Sequence, residues 1–156
     1  MATAFPAISQ DRIAATLKAM DLKYYQEDTG ETRTAFPGLA VFFDVANEGF
    51  KASARWMATV RGADQVATFR TRCNEINRTM PLVRVHPVRR DDGTAVALIE
   101  APFFSNDGFS DEQIREMLEY FFSAVHHIAQ LLREALPDVE ETLPTNSAGT
   151  DSNQEA

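Results

Sequence analysis

The sequence predicts an α+β fold, an antiparallel β-sheet of about five strands packed with helices. The expected order is α-β-β-β-α-β-β-α, or the same with one extra short strand. Three observations carry this. Phe50 to Val60 alternates apolar and polar residues with period two, the mark of a half-buried strand. Three other segments place apolar residues at steps of three and four, the mark of amphipathic helices. Short turns join neighbouring strand candidates, which favours antiparallel hairpins over parallel crossovers.

The first helix opens at Ser9, whose hydroxyl suits an N-cap, and Ile8 with Ile13 forms a hydrophobic staple. Leu17 and Met20 continue its apolar side, and it should stop near Asp21. Leu22 to Gln26 reads as a short aromatic strand. Asp28-Thr29-Gly30 and Phe36-Pro37-Gly38 read as turns. Leu39 to Ala46 is a strong strand, and Asn47-Glu48-Gly49 returns the chain into Phe50 to Val60. There Phe50, Ala52, Ala54, Trp56, Ala58 and Val60 share one face, and Lys51, Ser53, Arg55, Met57, Thr59 and Arg61 the other.

The second helix runs from about Ala63 to Met80 on a stripe of Val66, Phe69, Cys73, Ile76 and Met80, and Pro81 ends it. Leu82 to Arg90 and Thr94 to Phe104 form a hairpin around Asp91-Asp92-Gly93. The second of these strands is apolar on both faces, so cover on both sides is expected. The third helix, Ser110 to Leu136, has the clearest signal. Ser110 and Gln113 make a capping box, Phe109 and Ile114 a staple, and Ile114, Leu118, Phe121, Val125, Ile128 and Leu132 an apolar face. Residues 1–137 read as one domain. Residues 138–156 hold Asp138, Glu140, Glu141, Asp151 and Glu155 with no Lys or Arg, and read as an acidic, disordered tail from about Glu140.

The chain has 156 residues and a net charge of −8, of which the tail supplies five, so the domain itself is near neutral. One cysteine excludes an internal disulfide. No apolar run approaches the roughly 20 residues of a membrane span. Met1 to Pro6 lacks the regions of a signal peptide. The expected location is the cytoplasm.

A catalytic apparatus is not legible. There is no nucleophile elbow, P-loop or dinucleotide fingerprint. Cys73 lies on the apolar stripe of its helix and reads as a core thiol. His126 and His127 are adjacent, about 100° apart on a helix, whereas helical ligand pairs use i, i+4 spacing. No metal, cofactor or catalytic residue is therefore expected. Glu112, Glu116 and Glu119 lie on a solvated helix side, where Arg115 can pair with Glu119.

One constellation invites a functional reading. Lys51, Arg55 and Arg61 share a strand face, and Arg84, His86 and Arg90 share a parity on the hairpin. If these faces coincide, the open side of the sheet is basic and suits an acidic peptide, the protein's own tail included. The bland alternative is a solvated face whose cations discourage edge pairing. A one-residue slip in register would swap the faces. Overall acidity disfavours nucleic acid. Apolar sheet surface beyond what the helices cover would suit a homodimer or a groove for a partner segment.

Three stretches resemble the YbjN family, whose fold is similar to type III secretion chaperones. They are Arg12-Ile13-Ala14-Ala15-Thr16-Leu17 with Leu22-Lys23-Tyr24-Tyr25, then Asn74-Glu75-Ile76-Asn77-Arg78, then Gly108-Phe109-Ser110-Asp111-Glu112-Gln113-Ile114. The resemblance spans about Ser9 to Leu136. It implies an antiparallel α/β sandwich, often dimeric, and a chaperone-like or regulatory binding role tied to bacterial signal transduction. It supplies no catalytic residue. The expected function is non-enzymatic binding of a protein or peptide segment. The alternative is a small-molecule-binding domain or an enzyme, with a pocket built from Trp56, Arg55, Arg84 or His86.

Overall fold

Residues 5–142 are described by the computed structural model. The elements are α1 (Gln10–Ala19), β1 (Tyr24–Gln26), β2 (Thr32–Phe36), β3 (Leu39–Ala46), β4 (Gly49–Val60), α2 (Ala63–Thr79), β5 (Arg84–Arg89), β6 (Ala95–Phe104) and α3 (Asp111–Ala135). The six strands form one sheet in the order β1-β2-β3-β4-β6-β5, and every neighbouring pair is antiparallel.

The extra short strand is β2. Its buried side chains are Thr32 and Thr34, so it lacks the apolar alternation by which its neighbours announce themselves. The hydroxyls make this burial affordable, because Thr32 Oγ1 donates to Gln10 O at 3.2 Å and Thr34 Oγ1 to Lys23 O at 2.7 Å. Both serine caps form as the sequence indicates, and the residues of both staples are buried in the core. Ser9 accepts from Arg12 N, and Ser110 and Gln113 complete a reciprocal capping box.

All three helices cover one face of the sheet. α3 packs along the middle, with α1 beside it towards β1 and β2 and α2 beside it towards β5. The hydrophobic core takes only one parity from each long strand: Leu39, Val41 and Phe43 from β3, Phe50 to Val60 on alternate positions from β4, and Ala95 to Phe103 on alternate positions from β6. The cover expected on both sides of β6 is therefore one-sided. Its other face carries Val96, Leu98 and Glu100, which stand outside the core cluster, Val96 buried and the other two half-buried. This is a two-layer sandwich with an open sheet face.

The edges are managed. β1 has three residues. On β5, the Asn77 side chain donates to Val85 O at 2.9 Å and accepts from Val85 N at 2.8 Å, so an amide occupies the place of a further strand. Contact with the domain does not end at Pro137. Val139 packs against the core, and Glu141 forms an antiparallel bridge with Ala58 of β4. Of the stretch read as a disordered tail, residues 141–142 are thus docked on the sheet, and residues 143–156 lie outside the described residues.

Candidate partner-binding face

The register settles which side chains share the open face. Arg55 of β4 lies opposite Leu98 of β6, which lies opposite His86 of β5. One row away, Phe42, Ser53, Glu100 and Arg84 stand in line across β3, β4, β6 and β5. Lys51, Arg55, Arg84 and His86 therefore converge on one patch. Arg61 and Arg90 sit just past the ends of β4 and β5, at the hairpin end of the same strands. Arg90 and Arg61 both bear electrostatically on Asp92, and Arg90 bears on Arg55.

The patch is not uniformly basic. Glu100 stands at its centre, 3.4 Å from Lys51 Nζ and 3.5 Å from His86 Nε2. Lys51 also approaches Asp44 at 3.9 Å. Glu100 shares the parity of Val96 and Leu98 on β6, which places it on this face. Arg84 turns part of its guanidinium back onto the Met80 carbonyl at 2.6 Å and the Val83 carbonyl at 3.0 Å.

Arg55 differs from the other cations. It is half-buried, and its Nε is shielded from solvent with no hydrogen-bond partner among the described residues. Burial, and then the nearby charge of Arg90, lower its pKa from the ordinary arginine value. A guanidinium in that position is stabilised by a carboxylate brought to it. Ser53, next along the strand on the same face, is fully buried, and its hydroxyl is likewise without a partner among the described residues. Apolar surface surrounds these groups. Leu98 and Phe42 are half-buried, while Val88 and Phe104 are exposed, Phe104 to 71%.

Trp56 does not join this patch. It lies on the helix-covered face with no exposure, so the alternative pocket of Trp56 with Arg55, Arg84 and His86 is not assembled. The other candidates take structural places. Cys73 is buried, and desolvation pushes its thiol up to about 12. Asp92 accepts from the Thr94 backbone and hydroxyl, which holds its carboxyl below the usual range. Arg115 pairs with Glu119 at 3.0 Å. His126 bonds the Phe122 carbonyl through Nδ1 at 2.7 Å and meets Phe36 edge-on, while His127 is exposed. Among the described residues no three His, Cys, Asp or Glu side chains gather as a metal site would require. No described helix is long and apolar enough to cross a membrane.

Comparison with known proteins agrees with this geometry. A crystal structure of YbjN from E. coli, described as "a putative transcription regulator", superposes with a TM-score of 0.74 at 14% identity, over 89% of this chain and 100% of that one. An uncharacterized protein from Methanothermobacter thermautotrophicus superposes with a TM-score of 0.50 at 14% identity, over 81% of this chain and 98% of that one. At such identities these likenesses establish the fold. No curated protein sequence gives a significant match. The model of the YbjN family, described as "Putative bacterial sensory transduction regulator", matches residues 9–134, from the cap of α1 almost to the end of α3, and the chain belongs to that family.

Proposed function

We propose that the chain is a non-enzymatic regulator of the bacterial cytoplasm that works by holding an acidic segment of another protein on its open sheet face. The family's description supports the regulatory part of this reading. The observation that carries the binding part is Arg55, a half-buried cation whose Nε has no partner among the described residues, set among Lys51, Arg84 and His86 and beside apolar Leu98, Val88 and Phe104. A face of this composition favours a segment that offers both carboxylates and aliphatic side chains. It would act as secretion chaperones do, by covering a stretch of a partner.

A second copy of the chain is the other occupant worth weighing, because Phe104 is so exposed. Placing two such faces together would set Lys51, Arg55 and Arg84 against their own copies, and that repulsion favours an acidic partner. A small ligand with a carboxylate would use the same cations.

Affinity capture from lysate of the source cells tests the reading, with the wild-type chain and an Arg55→Glu, Arg84→Glu double variant as baits. A partner enriched by the wild type, lost from the variant and weakened by salt is the expected result. A partner retained equally by both baits would show that the face is not the binding surface. If nothing is enriched while a carboxylate metabolite raises the wild-type melting temperature by several degrees, the small-ligand reading takes its place.

A further inference from the structure

β4 outruns its neighbour on one side. Its pairing with β3 ends at Trp56 opposite Leu39, and a register shift against β6 follows between Trp56 and Val60. Met57 N still reaches the Gly38 carbonyl at 2.8 Å, and beyond it no strand of the sheet lines that edge. The chain's own residues 141–142 lie there. Thr142 N donates to the Met57 carbonyl at 2.6 Å, and Glu141 stands opposite Ala58.

The contact is a built carboxylate site rather than a chance crossing. Trp56 is wholly buried, and its indole N–H donates to Glu141 Oε1 at 2.7 Å. Arg133, near the end of α3, closes on the same carboxylate through Nε and through its terminal nitrogen. Gly38 makes room, because a Cβ there would overlap the Glu141 carboxylate, and its φ of +77° is a further reason for glycine. A buried donor, a cation, a glycine notch and a free strand edge thus meet at one point, brought together from β4, α3 and the turn between β2 and β3.

What fills the site is short, two exposed residues of the chain's own. Among the described residues the strand pairing is a single bridge, and the bonds run from Trp56 and Arg133 to one carboxylate and from the Thr142 N–H and hydroxyl to one backbone carbonyl. Removing it without replacement would orphan the buried indole N–H, whereas exchanging it for another carboxylate would not. We infer that this notch is a strand-addition site that reads one carboxylate, occupied at rest by Glu141 and taken over by an extended segment of a partner protein carrying a glutamate at the matching position. Backbone pairing to the edge at Met57 would supply affinity, and the Trp56–Arg133 pair would supply selection. The site is separate from the open-face cations and stands independently of them.

The test uses the full chain and a fluorescein-labelled peptide copying residues 137–145, read by anisotropy. The chain's single tryptophan, Trp56, reports on the same event from within the notch. The peptide should bind Glu141→Ala saturably and at least tenfold more tightly than wild type, whose own tail competes. A peptide with glutamine at the position of Glu141 should bind at least tenfold more weakly, and Arg133→Met in the Glu141→Ala background should abolish binding. The isosteric Glu141→Gln chain repeats the comparison should the alanine variant fail to fold. No saturable binding to either released chain, equal binding of the glutamine peptide, or equal affinity for wild type and variant would each overturn the assignment.

Discussion

Glu141 shows how one side chain can tie three distant segments together. Burial alone would raise its carboxyl, but hydrogen bonds from Arg133 and Trp56, with the charge of Arg133, outweigh burial and hold it below the ordinary glutamate value. A carboxylate depressed on folding stabilises the folded chain above its unfolded pKa, near 4.3, and that contribution is lost as pH falls through the lower folded pKa. Trp56 emission should therefore be constant through neutral pH and change only at pH below the ordinary glutamate range. A Glu141→Gln chain should show no such step. The same substitution should cost about 1–2 kcal/mol in a denaturant melt at pH 7. Cys73 makes a second prediction, since a buried thiol pushed up to about 12 should resist iodoacetamide at pH 8 until the chain is unfolded. Cys73 was legible as a core thiol from its place on the apolar stripe. The role of Glu141 was not, because nothing in an acidic, serine- and threonine-rich tail distinguishes one glutamate from its neighbours.

At the scale of elements, the sequence spoke clearly wherever burial is apolar. The stripe and capping box of α3 and the alternation of β4 are visible in the residues, and the structure keeps their ends within a residue or two. It was silent where a polar side chain does the work. β2 is buried through threonines, and the edge of β5 is closed by the Asn77 amide, which no apolar pattern marks. Whether a side chain reaches a neighbouring strand is a question of tertiary distance, which spacing does not encode. Two substitutions measure these devices in denaturant melts. Ser110→Ala removes the cap of α3 and should cost roughly 1 kcal/mol. Asn77→Ala orphans the Val85 backbone groups and should cost about 1–3 kcal/mol. It should also raise the tendency to aggregate through the uncovered edge, as light scattering would show.

For the molecule as a whole, three helices on one face leave the other face to do something else. The coincidence of Lys51, Arg55, Arg84 and His86 depended on hairpin register, and the register supplies it. Glu100 at the centre moderates the charge, and the partner proposed for this face is therefore a mixed acidic and aliphatic segment rather than a polyanion. Binding through it should weaken as ionic strength rises towards 1 M, where the Debye length falls to about 3 Å. The chain has only three lysines, and all are exposed: Lys18 on α1, Lys23 before β1 and Lys51 on the open face. Lysine acetylation footprinting of the chain with its captured partner therefore tests the central claim directly. The account predicts that Lys51 is protected several-fold while Lys18 and Lys23 react as in the free chain. Equal labelling of Lys51 with and without the partner, or protection confined to Lys18 and Lys23, would contradict it.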